Sequence, residues 1–298
     1  MQKKSSTRAL ALSAGLVNSH VAASLMEEML ALVKSAAADI LIPNFGKAVE
    51  EQKESLGLHE PVTEIDRRIS AFILKTIRES LPGSYSEEDF PAELAMRRRE
   101  NLLWQFDPLD GTQEFIDGFY DGVAIQGALL ARVKEEYLPV SGFIYRPTTQ
   151  TLWYVDEEGE LIYERQGKLH RPPELKRDGV FKGCVRKVAP DAALDSRYAR
   201  IAAALGEQVQ LVECGGAGAS IIDILDGTAD AIVCDHSHSK AWDIAMAIPL
   251  IEARGGFVSD SEGMPLGDMN AAELRNAKGF VASILYSKEE LIPRLNRS

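Results

Sequence analysis

The segment Asp107-Pro108-Leu109-Asp110-Gly111-Thr112-Gln113-Glu114-Phe115 concentrates the chemistry of this chain. The run Leu102-Leu103-Trp104-Gln105-Phe106 before it reads as a buried strand ending at Asp107. Pro108 removes a backbone donor and drives Asp107 out of the helical region. Asp110 then presents a second carboxylate, and Gly111 lets a ligand approach the backbone closely. A short helix starting at Thr112 leaves its first N–H groups outside the helix, an arrangement that suits phosphate or sulfate. Two carboxylates this close ionise together only with positive charge between them. The segment thus offers a cation site beside an anion cradle, although taken alone these are also ordinary turn residues.

Three other places carry acids that fit the same chemistry. Glu87-Glu88 follows the Pro82-Gly83 turn, Asp66 sits in Pro61-Val62-Thr63-Glu64-Ile65-Asp66 at a helix start, and Trp242-Asp243 precedes an apolar helix reaching Gly255-Gly256. Each alone has a bland reading: a Glu pair is a solvated face, and a lone Asp before a helix is a cap.

Together and in this order, these segments resemble the inositol monophosphatase family of metal-dependent, lithium-sensitive phosphatases, over about residues 20–285. The resemblance implies a layered αβαβα sandwich of the α/β (α+β) class, a homodimer and two or three Mg2+ ions. It implies Glu87, Asp107, Asp110, Asp243 and the Leu109 carbonyl as metal ligands, with Asp107 bridging. Glu88 and the Thr112 hydroxyl would hold the attacking water, with Asp66 hydrogen-bonded to Thr112. The Gly111 and Thr112 N–H groups would bind phosphate, and Asp243 would orient a second water. All the side-chain donors are hard oxygens, which suit Mg2+ over zinc. The implied reaction is hydrolysis of a small phosphorylated polyol by metal-activated water.

Departures bear on the substrate. Inositol-specific members carry a Glu shortly before the Trp-Asp pair; here the stretch is Asp235-His236-Ser237-His238-Ser239-Lys240. His236 and Lys240 either meet a second anionic group or belong to a polar surface loop. Gly215-Gly216-Ala217-Gly218 is either a surface for an approaching sugar, with Gly216 contacting substrate, or a helix start. Met246 stands where a small residue is usual. Glu114, in the x-Glu-Phe that follows the Asp-Gly-Thr, resembles the branch acting on adenosine 3′,5′-bisphosphate, a second substrate reading. A non-catalytic relative that binds metal or phosphate is a third.

Two rivals fail on single residues. A haloacid-dehalogenase-type site needs a nucleophilic Asp where Pro108 stands. An EF-hand loop from Asp107 would need an oxygen ligand at Leu109 and Glu at Gly118.

The elements that must position these groups follow from composition and period. The 298 residues are 45% hydrophobic and 26% charged, ordinary values for soluble globular chains. The net charge of −12 disfavours nucleic acid as a partner; an acidic protein accepts an anionic ester when cations reverse the local sign. Three cysteines without a CxxC pair argue against a disulfide framework or zinc site and suit a reducing, cytoplasmic compartment. No apolar run reaches the ~18 residues of a membrane span. Residues 1–20 form an N-terminal extension with a diluted, signal-like outline.

Apolar spacing predicts a helix over Val21–Ala38 and another after Pro61 capped by Thr63, with Ile69, Phe72, Ile73 and Ile77 inward. A short charged helix is predicted over Ala92–Glu100. Strands over Val123–Arg132, Val140–Tyr145 and Thr151–Val155 follow without helices, which indicates an antiparallel sheet and closes a first part at residues 21–170. From 171 to 298 strands and helices alternate (Val180–Val188, Leu194–Leu205, Val209–Glu213, Ala219–Leu225, Ala231–Cys234, Ile244–Ala253, Phe280–Ala282), an α/β half that completes the site.

Overall fold

Helices α1 (Ser19–Ala36) and α2 (Glu64–Ser80) lie against one face of a seven-stranded sheet, as their apolar spacing demands. This computed structural model describes residues 19–47, 50–55, 58–89, 100–186, 192–234, 240–269 and 279–295. Helix α1 buries Leu25, Met26, Met29, Leu30 and Val33 and runs on through a wider turn to Leu41. Helix α2 buries Ile65, Ile69, Ile73, Leu74 and Ile77; Phe72 is turned outward, one position off the buried stripe. Before α2, strands β1 (Glu51–Ser55) and β2 (Leu58–Val62) form a two-stranded antiparallel ribbon. Their sequences, EQKES and LHEPV, lack an apolar alternation, so the period of two had nothing to register on.

The seven-stranded sheet has the order β3 (Tyr85–Ser86), β4 (Leu102–Asp110), β5 (Ala124–Val133), β6 (Glu136–Arg146), β7 (Thr151–Val155), β8 (Leu161–Arg165), β9 (Lys168–His170). All neighbours are antiparallel except β3 and β4. Side chains alternate across it as pleating requires. Trp104 and Phe106 of β4 join the core under α1 and α2, whereas Leu103 joins the core on the opposite face. That opposite face carries α5 (Ala217–Asp226) and α7 (Ala247–Ala253), whose Ile221, Ile222, Leu250 and Ile251 fill the central layer.

The second sheet runs β11 (Gln208–Cys214), β10 (Val180–Arg186), β12 (Ala231–Cys234), β14 (Phe280–Ser283), β13 (Phe257–Ser259). Strands β10, β11 and β12 are parallel, and β14 is antiparallel to both its neighbours. Helices α4 (Ala192–Leu205) and α8 (Lys288–Leu295) cover its outer face through Tyr198, Ile201, Leu291 and Leu295. The layers are therefore helix, sheet, helix, sheet, helix, the expected αβαβα sandwich. Two further short α-helices among the described residues are α3 (Thr112–Ile116) and α6 (Ala241–Ile244).

Two further expectations change. The strand read as ending at Asp107 continues to Asp110, with a register shift between them as pairing resumes opposite Ala124. The single helix read over Ile244–Ala253 is two, α6 and α7. Pro249 has no N–H to give the carbonyl four residues back, so it is confined to the first turn of a new helix. The helix read over Ala92–Glu100 lies almost wholly outside the described residues, as do the N-terminal extension up to residue 18 and His236.

Candidate active site

Helix α2 starts the site. Thr63 caps it by accepting the Ile65 N–H at 3.1 Å, and Asp66 accepts both the Thr63 N–H (2.9 Å) and the Thr63 hydroxyl (2.5 Å). This capping box fixes the Asp66 carboxylate in a position only 2% exposed. Its other oxygen, Oδ1, lies 3.0 Å from Thr112 Oγ1, which is also 3.1 Å from the Leu109 carbonyl oxygen. The Thr112 hydroxyl thus has two protein acceptors for its one proton. Its lone pairs are left to accept from another donor.

The end of β4 supplies the next acids. The Leu109 N–H donates to Asp107 Oδ1 at 2.9 Å, an Asx turn across Pro108 that holds the carboxylate at the strand end. Gly111 then takes φ +85°, and an added Cβ would stand 2.6 Å from the Gly122 carbonyl oxygen. Only glycine accepts that backbone at that spacing. The first intrahelical bond of α3 is Phe115 N–H to Gly111 O, so the chain at Thr112 begins a helix there as expected.

Glu87, Asp107 and Asp243 bring carboxylate oxygens within 4.8 Å of one another. They come from a 3-10 turn after β3, from β4 and from α6. Burial and neighbouring charge shift their protonation. Burial, then Glu87, Asp110 and Asp243, push Asp107 well above the usual carboxylate range. Burial and Glu87 push Asp243 up to about 8, against the pull of Lys240. Glu88 rises to about 7 through burial, with Lys53 opposing and Glu87 adding. For Glu87 burial is outweighed by Lys53 and Lys240, which hold it down at about 2.

Asp110 stands beside this trio, close enough to raise both Asp107 and Asp243. Its oxygens accept the Ala217 N–H (3.0 Å) and the Gly218 N–H (2.8 Å) at the start of α5, where a helix favours negative charge. Gly216 is the residue that permits it: an added Cβ would be 2.4 Å from Asp110 Oδ2. Gly216 therefore lies at the site, held by its N–H on the Gly122 carbonyl at 2.9 Å, and the glycine-rich segment is a helix start.

Lys240 is 5% exposed. Its N–H donates to Asp243 Oδ2 at 2.7 Å, and its Nζ reaches 3.4 Å from Glu87 Oε1 and 5.4 Å from the Trp242 ring centre. It faces the acids. Lys53 of β1 was not legible in the sequence, where it stands among Glu50, Glu51 and Glu54 and reads as a solvated charge run. Its Nζ bonds Glu87 at 2.9 Å and also Glu88. Gln126 of β5 is fully buried, with its amide nitrogen 3.5 Å from the Trp242 carbonyl. Met246 is accommodated because Gly142 of β6 faces it; an added Cβ there would be 3.0 Å from Met246 Cα. Glu114 is also fully buried, in α3.

The sequence profile of the inositol monophosphatase family matches residues 23–296. Among curated proteins, inositol monophosphatase 3 of Xenopus laevis is 26% identical over 66% of this chain, a match spanning about half (52%) of that protein. The human 3'(2'),5'-bisphosphate nucleotidase 1 is 24% identical over 91% of this chain and 82% of its own. Among solved structures, the extragenic suppressor protein suhB from Bartonella henselae shares the fold with a TM-score of 0.68 at 19% identity, covering 92% of this chain and 99% of that one. The Thermotoga maritima IMPase does so with a TM-score of 0.67 at 20% identity, over 91% and 96%. With its layers, its acidic trio and a profile match over nearly the whole chain, the protein belongs to the inositol monophosphatase family.

Proposed function

We propose that this chain is a Mg2+-dependent phosphomonoesterase that hydrolyses a small phosphorylated polyol by direct attack of water. The observation that carries it is the trio of Glu87, Asp107 and Asp243 beside the Thr112–Asp66 pair. The donor set fits hard divalent cations: all oxygen, and crowded so that burial first and like-charge repulsion second push Asp107 and Asp243 up. Glu87, Asp107, Asp110, Asp243 and the Leu109 carbonyl would hold two or three ions. When bound, the ions would neutralise phosphate charge and make water acidic enough to attack at neutral pH.

The chain's own residues do the rest. Thr112 Oγ1 accepts from the attacking water, because its proton is engaged by Asp66 or Leu109. Glu88, already poised at about 7, accepts the proton that water loses. The backbone N–H groups of Gly111 and Thr112 face the phosphate oxygens. Asp243 orients a second water toward the leaving oxygen.

A second substrate reading, a 3′(2′),5′-bisphosphate, draws support from the nucleotidase match over 91% of the chain and from the buried Lys240 at the site edge. Inhibition by lithium, a homodimeric state and a cytoplasmic location belong to the same proposal. Among the described residues no helix is long and apolar enough to cross a membrane.

Phosphate release tests this. Inositol 1-phosphate, adenosine 3′,5′-bisphosphate, histidinol phosphate and sugar phosphates are each offered with Mg2+ or with EDTA. Turnover that EDTA abolishes is expected on at least one. No Mg2+-dependent turnover on any would favour a binding protein that has kept the fold.

A further inference from the structure

Two cysteines that the reaction does not use lie against each other inside the central layer. Strands β10 and β11 are parallel, with Cys184 opposite Val212 and Arg186 opposite Cys214. Cys184 and Cys214 are therefore diagonal neighbours on the same face. Both are buried, and their sulfurs are 2.8 Å apart. That is within about 0.8 Å of the ~2.05 Å disulfide bond length. The third cysteine, Cys234 of β12, is half-buried.

The pair sits at the root of the active-site turn. Cys214 is the last residue of β11, and Gly215-Gly216 follow directly. Gly215 is pressed against Gly122, where an added Cβ would be 2.1 Å from backbone, and Gly216 is pressed against Asp110. Cys184 Sγ lies 3.9 Å from the Ser220 carbonyl oxygen, and the Ser220 hydroxyl bonds the Gly216 carbonyl oxygen at 2.9 Å. Any backbone movement of Cys214 passes directly to Gly215 and Gly216, which are already packed tightly against Gly122 and Asp110.

We propose that Cys184 and Cys214 are a reversible dithiol–disulfide site, closed by a peroxide, whose state is felt through the Gly215-Gly216 turn at Asp110. In the first step one thiolate displaces hydroxide from hydrogen peroxide and becomes a sulfenic acid. The second sulfur then attacks it, forming the S–S bond and releasing the sulfenic oxygen as water. Two thiols and one peroxide give one disulfide and two waters. Contact between the sulfurs makes the second step effectively unimolecular. The first step is slow, because burial pushes the Cys184 thiol up and the thiolate is the reactive form; the rate therefore rises with pH.

The test uses the full-length reduced protein. It is exposed to hydrogen peroxide, unfolded in alkylating reagent and digested without reductant for mass spectrometry. The expected product joins the peptides of Cys184 and Cys214 and is lighter by two hydrogens. Alkylatable cysteines fall from three to one, and dithiothreitol restores them. The C234S variant should close the same link. Alkylated or over-oxidised Cys184 and Cys214 with no link, or a link through Cys234, would overturn the site. Turnover should fall about tenfold on closure, for a displacement under the ~1 Å that costs about 10²-fold, and recover on reduction. A closed link with turnover changed less than about twofold would overturn the coupling to Asp110. That second readout rests on the phosphatase reading, whereas the linked peptide does not, so the two fail separately.

Discussion

Asp110 Oδ2 accepts the Gly218 N–H at 2.8 Å, joining residues 108 positions apart. The bond ties the end of β4 to the start of α5, and so fixes one half of the site against the other. Replacing Asp110 by Asn places an amide donor against the N–H groups of Ala217 or Gly218. It also removes a negative charge from beside Asp107 and Asp243, one that would face a cation on the proposed reading. We expect kcat/KM to fall about 10³-fold, beyond the ~10–100-fold typical of losing a group that merely orients a ligand. A loss below about tenfold would contradict the role of Asp110.

Gly216→Ala tests the same junction from the other side. The new Cβ would meet Asp110 Oδ2 at 2.4 Å, whereas one at Gly267 would meet nothing within 4 Å. G216A should lose about 10²-fold in turnover while G267A stays near wild type. Equal activity in the two variants would mean that Asp110 can move freely.

Thr112 and Asp66 are separable by conservative change. Thr112→Ser keeps the hydroxyl between Asp66 and Leu109 and should retain most activity. Thr112→Ala should lose about 10²-fold, the cost of leaving the attacking water misplaced by about 1 Å. Asp66→Asn should fall between them, since Leu109 still accepts. If T112A turns over like T112S, the hydroxyl does not hold the water.

Protonation of the acids predicts how stability follows pH without Mg2+. Asp243 is raised from 3.8 to about 8 and Glu88 from 4.5 to about 7. A carboxyl raised on folding stabilises fully below its unfolded pKa and loses that contribution as pH climbs through the folded value. Glu87, lowered to about 2, contributes equally at every pH above its unfolded value. The EDTA-treated protein should therefore melt at falling temperature between pH 5 and about pH 9. Saturating Mg2+ should flatten the curve, and so should Asp243→Asn. A melting temperature that rises over this window would contradict the charge arrangement.

How much of this was readable in the chain depended on contiguity. Asp107 through Thr112 announced itself because a strand, a Pro turn, two carboxylates and a helix start follow one another without a gap. The split between α6 and α7 also had a visible signal in Pro249, masked by the unbroken apolar run around it. Lys53 had none: its partners, Glu87 and Glu88, are more than thirty positions away, and its own neighbours make it resemble surface. The β1–β2 ribbon was silent as well, since its sequence lacks an apolar alternation and its Lys53 turns toward Glu87 and Glu88. The pairing of Cys184 with Cys214 depends on parallel register, which an odd count of cysteines conceals. Lys240 was legible as a charge near Trp242 but not in its direction, which the Asp243 cap sets.

Calorimetric titration of Mg2+ into the EDTA-stripped protein, alongside Asp243→Asn and Glu87→Gln, goes furthest toward the central claim. Convergence of these carboxylates on shared ions predicts saturable binding by the wild type at pH 8. Each variant, still folded by circular dichroism, should bind at least ~10–100-fold more weakly. Unchanged Mg2+ affinity in either folded variant would show that the acids meet in space without sharing a cation.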